Sequence, residues 1–222
     1  MNLRLPFCFL GVSLSCFSFL PAIAQSEPSP GAPSFAERLV EGARLSLERA
    51  PRYDRSYVRL AYPGGDPGWE RGACTDLVVR AFRHAGVDLQ RLVHEDISRA
   101  PEIYGISSPD ANIDHRRTRN LKNLFERHAL ALPEEISKET LPAWQPGDVV
   151  VWNLTPAASP GTPNHTGIVS DRLSDDGVPL VIHHNCKRHG GTDYPAEEDC
   201  LSKWPILGHY RWENQPLASS SQ

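Results

Sequence analysis

Residues 146–152 read PGDVVVW, residues 165–171 read HTGIVSD and residues 179–184 read PLVIHH. Each run is short, rich in β-branched or aromatic residues, and separated from the next by turn chemistry, Pro160-Gly161 and Asp176-Gly177. A fourth run, GHYRW at 208–212, follows near the end. No helical period lies between the first three, so they read as neighbours in a mainly antiparallel sheet rather than as βαβ units. Toward the N-terminus the period changes. Ser34 with Glu37 forms a capping-box pattern, and Phe35, Leu39, Val40, Ala43 and Leu47 recur at helical spacing up to Pro51. A second helix starts near Cys74, with Leu77, Val78, Ala81, Phe82 and Ala85 on one stripe and Gly86 placed to stop it. Further helices are expected from about Leu89 to Arg99 and from about Leu121 to Ala131, while PDANIDHRRTRN at 109–120 has no period. YDRSYVRLAY at 53–62 reads as an extended piece running into the turn-rich PGGDPG. Helices first and strands afterwards predict an α+β fold in which N-terminal helices pack on the sheet.

The 222-residue chain opens with one positive charge, Arg4, then an apolar run that ends at Pro21-Ala22-Ile23-Ala24. That layout predicts a secretory signal over 1–24, a flexible Pro-rich lead over 25–33, one domain over 34–213 and a flexible tail over 214–222. The apolar run is short for an uncleaved bilayer anchor. Cys16 is a poor lipidation site, because apolar residues continue beyond it and Ser13 stands where such signals usually carry leucine. A periplasmic or secreted destination follows, with no stable membrane insertion after cleavage. The formal net charge is −4, and no block of basic residues invites nucleic acid.

Cys8 and Cys16 fall in the expected signal, leaving Cys74, Cys186 and Cys200. In an oxidising compartment, Cys186 and Cys200 in a polar loop are the expected disulfide, contributing roughly 3 kcal/mol by loop closure. Cys74 is then the unpaired thiol. Its place in the first turn of a helix exposes it to unpaired backbone N–H groups and to the positive end of the helix dipole, which favour a thiolate and can hold an oxyanion. A small residue capping a buried helix would explain it as well. His165 heads a strand just after the loop SPGTPN, a good position for a rigidly held base. On the next strand, alternation separates His183 from His184, so one of them shares a face with His165. His183 is favoured as the residue that orients His165, with His184 and Asn185 as alternatives.

The ordered set of a helix-opening cysteine, PGDVVVW, HTGIVSD and a further histidine strand resembles the papain-like superfamily in its NlpC-type and amidase branches. More closely, GGDPGWERGACTDLVVRAFR, NIDHRRTRNL, PGDVVVWNL, HTGIVSD, VIHHN and GHYR are similar to the YijF-like bacterial family of unknown function, over about Ala43 to Trp212. The resemblance implies a papain-like core with Cys74 as nucleophile, His165 as base and His183 as third member. It does not carry a substrate; an amide or peptide such as the stem peptide of peptidoglycan is expected because that is the abundant amide polymer where the secretory signal would deliver the protein, and no cofactor is expected. The resemblance also favours substrate contacts from Asp76, Asp114, His115, Arg116 and Arg117, the two arginines gripping a carboxylate. NlpC-type enzymes usually carry Asp-Cys-Ser where this chain reads Ala73-Cys74-Thr75.

Two other readings compete. His183, His184, Cys186 and His189 crowd together and could bind zinc or copper, although no metal-ligand spacing motif is present and no metal is expected. A non-catalytic wall-binding module on the same scaffold is the other, since fold does not dictate function.

Overall fold

A computed structural model describes residues 31–213; the expected signal, most of the lead and the tail lie outside the described residues. Helix α1 (Phe35–Arg49) begins at the expected capping box: the Glu37 backbone N–H donates to Ser34 Oγ at 3.2 Å and the Ser34 N–H to Glu37 Oε2 at 2.6 Å. A short parallel pair, β1 (Arg52–Tyr53) and β2 (Arg71–Gly72), brackets the turn-rich loop and delivers the chain into α2 (Cys74–His84). Then come α3 (Leu89–Arg99), capped by Asp88, the single turn α4 (Pro101–Tyr104), and α5 (Thr118–His128).

The sheet is built from β3 (Leu130–Ala131), β4 (Val149–Trp152), β5 (His165–Leu173), β6 (Pro179–His184), β7 (Pro195–Glu198) and β8 (Ile206–Arg211). Its order is β3-β8-β4-β5-β6-β7, and every pairing is antiparallel. The protein is therefore α+β, with the expected strands at its centre. Among the described residues no helix is long and apolar enough to cross a membrane.

Alternation along the strands divides the interior in two. Val149, Val151, Ile168 and Ile182 face the helices, where Leu39, Leu77, Phe82 and Phe125 meet them. Val150, Trp152, Val169 and Val181 face a second cluster completed by Trp144, Cys200 and Leu201. Between α1 and α2 the backbones approach closely: a Cβ on Gly42 would come within 2.6 Å of His84 Cβ and 2.9 Å of Ala81 Cα.

Three departures from the sequence reading have local causes. The helix expected from Leu121 instead starts at Thr118 and ends at His128, because Leu130 and Ala131 leave it to pair with Arg211 and Tyr210 on the edge of β8. Part of the stretch at 109–120 forms a 3-10 turn, Asp114–Arg116, buried against α2 and α3. Strand β7, sequence PAEE, carries no β-type pattern, yet it covers the open edge of β6. Its glutamates are held from outside the strand, Glu197 by Arg44 and Arg172 and Glu198 by His183.

Candidate active site

The segment before Cys74 is fastened to the helix that Cys74 opens. From α2, the Arg80 guanidinium grips Asp66 through two bonds of 2.7 and 2.8 Å and donates to the Gly68 and Arg71 carbonyls, while lying over the Trp69 ring. Asp66 is thus a loop-organising residue. Tyr62 packs its ring on His94. In the first turn of α2, Asp76 accepts from the Ala73 N–H at 2.7 Å and from Arg116 at 2.8 and 3.0 Å. Arg116 also donates to the carbonyls of Ser56 and Asp54.

Four of the five residues expected to touch substrate are consequently occupied or enclosed within the fold. The side chains of Asp76 and Arg116 are each 2% exposed, and their ion pair ties α2 to the 3-10 turn and to the segment after β1. Asp114 is buried and accepts from the Asp110 N–H, and burial holds its carboxyl above the ordinary range. His115 is buried too, and burial together with the Arg116 charge lowers it to about 4. The sequence could not reveal this, because charged residues in an aperiodic stretch look solvated. Arg117 alone of the five is exposed, and it lines the cavity over Cys74.

That cavity holds about 390 Å³, with Tyr53, Arg55, Thr118 and Asn164 among its other walls. Cys74 lies at its floor, 4% exposed. Burial pushes the thiol up to about 11, against the pull of the Thr166 backbone N–H and the Thr118 hydroxyl. The first turn of α2 does supply backbone donors, but in this resting arrangement desolvation outweighs them and the sulfur is protonated at neutral pH.

His165 and His183 share one face of the sheet, as expected, and are joined Nε2 to Nδ1 at 2.7 Å. His183 Nε2 in turn meets Glu198 Oε1 at 2.7 Å. A carboxylate only accepts, so His183 donates from Nε2 and its Nδ1 is the acceptor for a proton on His165 Nε2. This leaves Nδ1 of His165 as its basic nitrogen. Burial keeps His165 well below its ordinary pKa, with the neighbouring histidines adding to the effect, so the ring is neutral at pH 7. Trp152 stacks on His165 and Trp204 packs edge-on to it. The Cys74 thiol reaches the backbone of Thr166, the residue next to His165, but no hydrogen bond among the described residues joins Cys74 to His165.

The remaining histidine and cysteine positions diverge. His184 points to the helical face, donates from Nε2 to the Asp193 carbonyl, and meets the Tyr53 ring edge-on. Burial lowers it to about 4. Asn185 spends its side-chain amide on the His189 carbonyl. The expected Cys186–Cys200 disulfide is not formed: both are free thiols. Cys200 is buried in the second core with its sulfur 3.6 Å from His183 Nε2, whereas Cys186 leaves β6 to line a separate cavity with Arg188 and His189. Because His183 and His184 lie on opposite faces, the suspected metal cluster does not converge. Among the described residues no group of three or more His, Cys, Asp or Glu could hold a metal ion.

Tyr53, Arg55, Thr118, Asn164 and Glu198 were not singled out by sequence. The first two sit in an aperiodic extended piece, and Glu198 lies in the segment that had no β pattern.

A family described as Domain of unknown function (DUF1287) matches residues 40–212. Uncharacterized protein YijF of Escherichia coli (strain K12) is 39% identical over 213 residues, covering 90% of this chain and 97% of that protein. The structure of NlpC2 from Trichomonas vaginalis aligns with 15% identity and a TM-score of 0.43, covering 79% of this chain and 46% of that one.

Proposed function

The chain belongs to the DUF1287 family, and from that premise we propose that it is an exported cysteine hydrolase, cleaving an amide or peptide bond with Cys74 as nucleophile and His165 as base. The observation that carries the reading is Cys74 at the first turn of α2, on the floor of a cavity whose wall includes Asn164, the residue before a His165 that His183 and Glu198 orient. The His165–His183–Glu198 chain presents one basic nitrogen, Nδ1 of His165, and places a carboxylate where it stabilises the cation formed when that nitrogen takes a proton.

The reaction runs as acyl transfer. The Cys74 S–H proton must reach His165 Nδ1, whose ring lies on the opposite face of the sheet in this structure, as sulfur adds to the carbonyl carbon, with backbone N–H groups at the start of α2 as donors to the oxyanion. His165 returns the proton to the leaving nitrogen as the C–N bond breaks. Water then adds to the thioester, giving its proton to His165, and the carboxylic product departs from a restored thiol. Peptidoglycan stem peptide is the proposed substrate, since a signal peptide over 1–24 would deliver the protein to that polymer in the periplasm or beyond. The mechanism calls for no cofactor.

A second reading is a non-catalytic module that binds cell-wall peptide. It is favoured by the protonated Cys74, which no hydrogen bond among the described residues joins to His165, and by strand alternation, which assigns the His165 ring to the face opposite α2. Amine release from purified sacculi separates the two. The hydrolase releases amine, loses turnover in Cys74→Ala and in His165→Ala, and in Cys74→Ala still binds sacculi. Binding without any release by the wild-type protein would sink the hydrolase and leave the module.

A further inference from the structure

A chain of net charge −4 gathers positive charge around Cys74. The cavity wall includes Arg55, Arg117 and Arg119 and not one carboxylate side chain. Arg116 also reaches it, but its guanidinium is engaged by Asp76 and two carbonyls. Among the described residues neither Arg55 nor Arg117 makes a salt bridge, and both are exposed, so their guanidinium groups are available. Two eleven-residue helices open onto the same space: α2 through Ala73, Cys74 and Thr75, and α5 through Arg117, Thr118 and Arg119. Neither N-cap supplies a side-chain acceptor to its own helix. Helix N-termini favour anions, and two of them converging with unpaired guanidinium groups add their fields.

Arg55 has a second role in this arrangement. With Tyr53 it forms the wall shared with a neighbouring cavity of about 270 Å³, whose other lining includes Arg188 and His189. The Asp54 carboxylate there is already engaged by the Ser56 N–H and, at 3.5 Å, by Arg71. The groove running past Cys74 is therefore basic on both sides of Tyr53. Arg116 holds the backbone on either side of Arg55 in place, through the Asp54 and Ser56 carbonyls.

We propose that Arg55 and Arg117 form a carboxylate clamp, so that the Cys74 site selects peptides bearing free carboxylates next to the amide it engages. This rests on the reading that the cavity takes an amide substrate. Arginine suits the task because its planar fork meets a carboxylate through two parallel bonds and keeps its charge at any relevant pH. Peptides with the same backbone but amidated side chains and termini lose both the bonds and the attraction of the groove.

The test uses the Cys74→Ser protein without its signal segment, so that binding is read without turnover. Acetyl-Glu-Ala and its uncharged counterpart acetyl-Gln-Ala-amide are titrated calorimetrically at low and at 0.5 M salt. The expected result is preference for the dicarboxylate by at least about tenfold, weakened by salt and reduced about tenfold by Arg55→Gln or by Arg117→Gln. Thermal unfolding of each variant verifies that the fold is kept, as expected for exposed side chains. Equal binding of the two peptides, no binding of either, or indifference to both substitutions overturns the clamp. Its failure is separable from that of the hydrolase. Amine release from sacculi that is unaffected by Arg55→Gln and Arg117→Gln leaves the hydrolase standing without a clamp, whereas arginine-dependent binding with no release leaves the clamp on a binding module.

Discussion

Glu198 accepts from His183 at 2.7 Å, and that single contact decides which nitrogen of His165 carries the proton. Glu198 does not touch Cys74, so it acts as a positioning residue. In Glu198→Ala the proton on His183 is free to move to Nδ1, which would force His165 into the tautomer with a protonated Nδ1 and remove its basic lone pair. The expected outcome is a fall in kcat of roughly a hundredfold with little change in KM. Glu198→Gln, which can still accept, should keep more activity than the alanine variant while shifting the acid limb of the pH–rate profile. Unaltered kcat in Glu198→Ala would show that the histidine pair has no part in the chemistry. Cys74 itself illustrates how opposing effects are weighed at one atom: a helix N-terminus lowers a thiol and burial raises it, and here burial wins.

At the level of elements, the start of α2 is assembled by two arginines from different parts of the chain. Arg80 folds the preceding loop back onto the helix, and Arg116 locks the 3-10 turn and the segment after β1 to the carboxylate of Asp76. Both members of the Asp76–Arg116 pair are removed from water, so deleting one leaves an uncompensated buried charge. Arg116→Ala is expected to lose about 3–5 kcal/mol of unfolding free energy, read from urea denaturation, and to loosen the first turn of α2. A loss below about 1 kcal/mol would mean that water replaces the guanidinium and that the pair does not organise the site. The close crossing at Gly42 has the same consequence at longer range, since α1 seats α2 against the sheet only where no side chain intervenes.

For the molecule as a whole, several buried histidines are neutral in the folded state. His115 and His184 are lowered to about 4 and His165 well below 6.5, each chiefly by burial. In the unfolded chain they titrate near 6.5. The unfolded state therefore binds more protons between about pH 4 and 6.5, so stability is complete above pH 6.5 and declines as the pH falls toward 4. Below that, carboxylates held down by their partners, such as Asp66 beside Arg80 and Asp96 beside Arg127, add to the loss as they protonate. Urea midpoints measured from pH 7.5 to 4.5 should fall steadily, and His184→Gln, if it folds, should flatten part of the slope. A midpoint unchanged over that range would contradict the burial assigned to these rings.

Much of this architecture was legible in the residues. The capping box at Ser34, the apolar stripe after Cys74 and the β-branched runs around 149, 168 and 181 are local signals, because period and capping depend on neighbours a few positions apart. They were enough to give an α+β chain, the sheet's central strands, the helix that opens on Cys74, and one histidine of the 183–184 pair on the face of His165, though not which one. What surrounds those side chains depends on partners far away in sequence, which no local pattern encodes. Arg116 meets Asp76 across forty positions, Glu198 reaches His183 from a strand with no β pattern, and Cys200 enters a core instead of a disulfide. Tertiary structure alone decided that four expected substrate contacts are enclosed in the scaffold and that Arg55, from an unremarkable extended segment, lines the cavity that holds Cys74. The physical reason is that burial and pairing, which determine whether a charged side chain is free to act, are properties of the packed whole.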